Sequence, residues 1–170
     1  MRDRWGSVVL VLLVVVSVYG AGLAWMTQMH HRALRYLAPG EMAAFDDGYE
    51  RLSDLTVIPV GVLGLAGWVV LLWLRPRGVL VWLAGLGLAL QVSVFIARIW
   101  FWGAWAETVR ETGSVWLADG ALHPDYVRYM DTNWIRIVII SSYALLAAGL
   151  LLRMTYVRSD ATATEVQQFR

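Results

Sequence analysis

Four apolar blocks run through the chain, at about Gly6–Met26, Leu55–Leu74, Val79–Trp102 and Thr132–Leu152. Each is close to the roughly 20 residues that a helix rising 1.5 Å per residue needs to cross a bilayer. A soluble domain has no use for four such runs, so the pattern predicts an all-α, multi-pass membrane four-helix bundle. The first block follows a short charged start, MRDR, and carries small residues in YGAGLA, as a cleaved leader does. Its apolar run is long for a leader, and it is read as a retained span.

Between the blocks the polarity changes to a helical period. Met26, His30, Ala33 and Leu37 share one face at about 100° per residue, with Gln28, His31 and Arg35 opposite. Pro39-Gly40 then stops that helix. Met42, Phe45, Tyr49 and Leu52 form the next apolar stripe, with Asp47, Glu50 and Asp54 turned away. The third block continues helically to Gly113, and Pro124 suits the first position of the last helix. The expected unit is one domain over residues 1–152. Spans at about 6–26, 55–74, 79–102 and 132–152 are extended by outer helices at about 27–37, 41–54, 103–112 and 124–131, which form a small cap. Residues 153–170 read as a polar cytoplasmic tail, with its RSDATATEVQQFR segment disordered.

The spans are not uniformly apolar. Tyr126, Tyr129, Asn133, Arg136, Ile140, Tyr143 and Ala147 fall on one face of the last helix. Gly87, Gln91, Arg98, Trp102 and Trp105 make a matching stripe on the third. Gly61, Gly64 and Gly67 on the second allow close helix approach. Polar groups aligned in this way should face the bundle interior, because lipid leaves them unpaired. Arg136 is expected inward, paired with an acid such as Asp54 or with a bound anion. Arg98 is open between facing inward and snorkelling to the headgroups. Gln91, near mid-span, is read first as an interhelical hydrogen bond. The tryptophans at 100, 102, 105 and 134 suit an interfacial belt.

Charge sets the expected orientation. The N-terminus, the RPRG link and the C-terminal segment hold seven Arg against three acids, whereas the other two connections hold five Arg against ten acids. By the positive-inside rule both termini face the cytoplasm of a bacterial inner membrane. The chain has no cysteine, which excludes disulfides, thiolate metal sites and thiol redox couples. All fourteen basic residues are Arg. No phosphate-binding glycine loop, internal repeat or nucleic-acid motif is present.

All three histidines, His30, His31 and His123, fall in the cap. Adjacent His30 and His31 diverge by about 100° and suit one ion poorly, and no second HxxxH or ExxH pair accompanies them. No metal and no cofactor is expected. His30, within the apolar stripe, should be buried and hydrogen-bonded to a carboxylate or a tyrosine.

The segment HHRALRYLAPGEMAAFDDGYERLSDL, then PVGVLGLAG, and a last span opening NWIR and continuing to SSYALL together resemble a set of four-helix bacterial membrane proteins. That set is distantly similar to the anthrone-oxygenase-like family. Asn133-Trp134-Ile135-Arg136 matches its Asn-x-x-Arg at the head of the last span, while Ile137 replaces the usual threonine and the third-span proline is missing. The resemblance implies a membrane protein handling a lipophilic aromatic or polyketide-like substrate without metal or flavin. His30 or an outer carboxylate would be its base, with Arg136 and Asn133 holding the enolate. Tyr49, Gln91, Arg98, Tyr126 and Tyr129 would complete the ligand site. The expected partners are the bilayer, a lipophilic small molecule, and a membrane protein or a second copy of the chain. The competing reading is a non-enzymatic accessory subunit of a membrane complex.

Overall fold

The computed structural model describes the backbone of residues 2–38 and 40–168, and their side chains except those of 158 and 160–168. Pro39 lies outside the described residues, so its part in the helix stop is not observed. Four helices are long and apolar enough to cross a membrane. With the apolar residues on their outer faces, they make the chain a multi-pass membrane protein.

Helix α1 spans Arg2–Ala33 and ends in a single 3-10 turn, Leu34–Tyr36. Its 32 residues reach about 48 Å, well beyond a hydrocarbon core of about 30 Å, so one end projects as the periodicity predicts. Helix α2, Met42–Leu74, joins the second outer helix to the second span without a break, even through Pro59. It ends on Arg75 in the left-handed conformation (φ 44°), whose N–H bonds the Leu71 carbonyl. That conformation usually selects glycine.

Helix α3, Val81–Ala97, passes into a π-helical turn at Arg98–Trp102 and then into α4, Gly103–Thr112. Gly113, at φ 67°, closes α4 as a left-handed cap. A tight loop follows, held by Leu117 N–H to Ala121 O and His123 N–H to Val115 O, each 2.8 Å. Helix α5 starts at Pro124, as expected, with Asp125 N–H donating to His123 Nδ1. It continues to Gln168, which corrects the disorder expected from residue 158 onward as far as residue 168. The physical reason is plain: no glycine or proline follows Gly149, and Ala, Glu and Gln favour helix. Residues 169–170 lie outside the described residues.

The helices form a ring in which α1 packs on α5 and α2, and α3 closes it against α5 and α2. Leu10, Leu13, Trp68, Leu71, Ala84 and Leu150 fill the middle. Gly87 makes room for Trp68: a Cβ there would lie 2.4 Å from its ring. On the outer faces Leu12, Val15, Leu63 and Leu145 are 58%, 60%, 59% and 74% exposed. Water would not tolerate that arrangement over four spans, but lipid does.

The start of α1, the α2–α3 link and Arg153 of α5 lie at one end of the ring. Arg2 donates to the carbonyls of Leu74 and Trp73, Asp3 accepts from the Arg77 N–H at 2.8 Å, and Arg153 donates to Gly78 O. The three arginine-bearing segments thus share the proximal end. The opposite, distal end carries a second small core of Leu34, Met42, Val109, Val115 and Tyr126, which is the cap.

Candidate functional site: a cavity in the distal half of the bundle

The inward stripe on α5 is where its period puts it. Tyr126, Tyr129, Asn133, Arg136, Ile140, Tyr143 and Ala147 are all buried. They divide between two tasks. Asn133 Nδ2 donates to Gln28 Oε1 and ties α5 to α1, while the Tyr126 hydroxyl donates to His31 O at 2.9 Å and accepts from Arg35 Nε at 3.0 Å. These two residues hold the helices in place. Tyr129, Arg136, Ile140 and Tyr143 instead line a cavity of about 550 Å³.

The cavity lies between α2 on one side and α3, the π-turn and α4 on the other, with α1 and α5 behind. Its size is ordinary for a small-molecule site, as is a mostly aliphatic wall with a few polar groups. Gly61 and Gly64 thin the α2 wall, and each faces a side chain of α3: Phe95 at Gly61 and Gln91 at Gly64. Ile58 and Ile99, on either side, are 54% and 69% exposed, so the wall is open to the lipid there. Arg98 also lines the cavity and is exposed at this open side. The choice between facing inward and snorkelling dissolves, because the arginine sits at the mouth. Farther out, Arg110 of α4 bridges to Asp47 at 2.8 Å and Glu50 at 2.6 Å on α2.

Arg136 is 8% exposed and does not snorkel. One terminal nitrogen points to the Tyr129 hydroxyl at 3.4 Å, and its guanidinium carbon lies 5.7 Å from the Trp102 ring centre. Its Nε has no hydrogen-bond partner among the described residues. Among the described residues no carboxylate pairs with it, so the expected ion pair with Asp54 is absent. Asp54 is exposed and lines the rim of the same cavity. A buried cation facing a cavity without a counter-ion is the most unusual electrostatic feature of the molecule.

The histidines exchange places relative to expectation. His30 is stacked between Phe45 and Tyr49, at 4.8 and 3.7 Å between centres, and its Nε2 is 3.0 Å from Asp46 Oδ1. It makes the carboxylate hydrogen bond foreseen for it, but it belongs to the cap and does not line the cavity. That bond, before all else, holds the Asp46 carboxyl below its ordinary range. His31, on the face thought to point away, lines the cavity. It stacks on Tyr129 at 4.3 Å and donates Nδ1–H to Thr27 O at 2.8 Å, which leaves Nε2 as the free acceptor of the neutral ring. Both histidines lie on the part of α1 beyond the apolar block 6–26. Burial is the main cause that pushes His31 down to about 4. Tyr49 completes this pole, donating to Thr27 Oγ1 at 2.5 Å.

Of the residues singled out in the sequence, the cavity brings together Tyr49, Gln91, Arg98, Tyr129 and Arg136. It leaves His30, Tyr126 and Asn133 in the supporting framework. It adds His31, Ser17 and Tyr143. Tyr143 is visible in the inward stripe and His31 in the Gln28, His31 and Arg35 face of α1, whereas no periodic signal marks Ser17. Among the described residues no cluster of three metal-ligating side chains occurs. Compared with protein-family models, curated proteins and solved structures, the chain matches none.

Proposed function

We propose that this protein binds a lipophilic weak acid in the distal cavity, with the acidic group on Arg136 and the apolar body along Val94, Phe95 and Ile140. One observation carries the reading: Arg136 is buried, lines a roomy apolar-walled cavity and has no carboxylate partner among the described residues. A bound anion would supply the missing counter-charge in a place where solvent screens it little. Tyr129 and Tyr49 stand beside that position as further hydrogen-bonding groups, and the exposed Ile58 and Ile99 leave the wall open on the lipid side.

The same pole suits proton transfer from an acidic phenol or anthrone. The proton would pass to His31 Nε2 and the anion would rest on Arg136, the first half of what a cofactor-independent oxygenation requires. This reading agrees with the resemblance of the NWIR segment and moves the base from His30 to His31.

Mass spectrometry of the protein purified in mild detergent tests the binding. The parent should retain an anionic lipophile that Arg136→Met loses. A parent with no retained ligand and no affinity for long-chain carboxylates or phenols would favour the accessory-subunit reading.

A further inference from the structure

A second polar group lies deeper in the same cavity. Gln91 and Ser17 are 3% and 2% exposed, both line the cavity, and Gln91 Oε1 and Ser17 Oγ have no hydrogen-bond partner. Gln91 Nε2 donates to Gly61 O at 3.4 Å, which fixes the carboxamide with its oxygen as the unfilled acceptor. Gly64 provides the space for that oxygen, since a Cβ there would stand 3.1 Å from it. Tyr143 of α5 lines the same cavity.

These three residues share one depth although they come from three helices. Gly20 of α1 faces Val60, and Gly67 of α2 faces Leu13, so Ser17 is level with the Gly61–Gly64 stretch against which Gln91 sits. Asn133 is bonded to Gln28, so Tyr143, ten residues farther along the antiparallel α5, is level with residue 18 of α1. The depth is set off from the cationic pole by a definite step. Tyr143 follows Arg136 by seven residues and Gln91 precedes Arg98 by seven, which is about 10 Å along each helix.

Resting on the binding reading above, we infer that the ligand is two-ended. An acidic group sits at Arg136, and a hydroxyl about 10 Å deeper donates to Gln91 Oε1, with Ser17 and Tyr143 around it. An acid with a purely hydrocarbon far end would leave these buried atoms unfilled, and such atoms are expensive where no water reaches them. Toward Gln91 Oε1 the far end is a donor, and the Ser17 hydroxyl can either donate to it or accept from it. The class is therefore a hydroxylated lipophilic acid: an ω-hydroxy chain or a polycyclic acid carrying a distal hydroxyl.

The test uses the full chain in nanodiscs, titrated with three sets of probes of graded chain length: saturated carboxylic acids, their ω-hydroxy forms and their ω-methoxy forms. The ω-hydroxy acids should bind about tenfold more tightly than the plain acids at one optimal length, the factor expected of one net hydrogen bond. The methoxy acids, which cannot donate to Gln91 Oε1 and can only accept from the Ser17 hydroxyl, should gain less than the ω-hydroxy acids. Gln91→Leu and Ser17→Ala, checked for parental helicity, should each reduce the hydroxyl preference while still binding the plain acids. Arg136→Met should weaken all probes alike. Equal binding of plain and hydroxylated acids that still depends on Arg136 overturns the two-ended ligand and leaves the binding reading standing. A hydroxyl preference that survives in both Gln91→Leu and Ser17→Ala overturns the assignment to this pole. Absence of binding by every probe overturns both readings.

Discussion

Replacing Arg136 with methionine separates a cation that holds the fold together from one kept for a ligand. In the ligand-free protein the guanidinium has a long hydrogen bond to Tyr129 at 3.4 Å and a contact with the Trp102 ring at 5.7 Å. Together these contribute about 2 kcal/mol, most of it from the cation–π contact in a desolvated place. Against them stands the cost of holding a charge at 8% exposure with no carboxylate, which is several kcal/mol even after relaxation. Methionine fills a similar length with an apolar chain and carries no such cost. Ligand-free Arg136→Met should therefore unfold in detergent at the parental temperature or slightly above it. Binding of an anionic lipophile should weaken roughly ten- to hundredfold, the worth of one charge-assisted hydrogen bond. Differential scanning fluorimetry of delipidated protein and titration with a long-chain carboxylate measure the two quantities. A variant that melts far lower while binding the carboxylate as the parent does would refute the reasoning. That result is what a structural ion pair gives, since breaking one typically costs about 3–5 kcal/mol.

Ligand-free stability should fall as pH drops from 6.5 toward 4. There the unfolded chain takes up a proton that His31, pushed down to about 4 by burial, refuses in the fold. The loss is at most about 3 kcal/mol, it is absent above pH 6.5, and denaturation of His31→Gln across that range should lack this part of the slope. Gly87→Ala should destabilise by about 1–3 kcal/mol despite its better helix propensity, because its Cβ would lie 2.4 Å from the fully buried Trp68 ring; Gly20→Ala, with Val60 at 3.5 Å, should not. Thermal melts of the two variants make the comparison. Arg110→Ala removes two partly exposed ion pairs, so it should cost less than about 1 kcal/mol, and the loss should shrink in high salt. Cysteines placed at Ala43 and Ser159 of this cysteine-free chain test the proposed orientation. An impermeant thiol reagent on intact cells should label the first and spare the second.

Much of the architecture is legible in the sequence because lipid imposes so few solutions. Four apolar blocks have to be helices, and an inward stripe such as Tyr129, Asn133, Arg136 and Tyr143 has to turn away from lipid. The finer division of that stripe is not legible. Asn133 and Arg136 are one turn apart and carry the same periodic signal, yet one is tied to Gln28 and the other faces a cavity. The difference depends on where α2 stands away from α3 and α4, which is a property of five elements at once. The inward place of His31 is hidden for the same reason. A 100° step from His30 takes it off the apolar stripe of its own helix, and only the position of Tyr129 and Tyr49 makes that face interior. The missing partner of Arg136 has no counterpart in a linear sequence either, since many acids fall within reach on paper. The helical end of α5 was legible in principle, through the absence of any glycine or proline after Gly149.

The wide turn at Arg98–Trp102 behaves as a phase adjuster between two halves of one rod. A π-turn is in effect an α-helix carrying an extra residue. Everything beyond it is offset by about 100° from the bearing that an unbroken helix would give. In that bearing α4 presents Val109 to the cap core and Arg110 to Asp47 and Glu50. Deleting a single residue between 98 and 102 would remove the surplus and leave that bearing unchanged, whereas regular α-winding of the uncut sequence would swing α4 by about 100° and carry Arg110 away from α2. The rim of the cavity would then lose its bridge, although no residue lining the deep pole had been touched. The way the third rod absorbs one surplus residue thus sets the angular position of the whole distal rim.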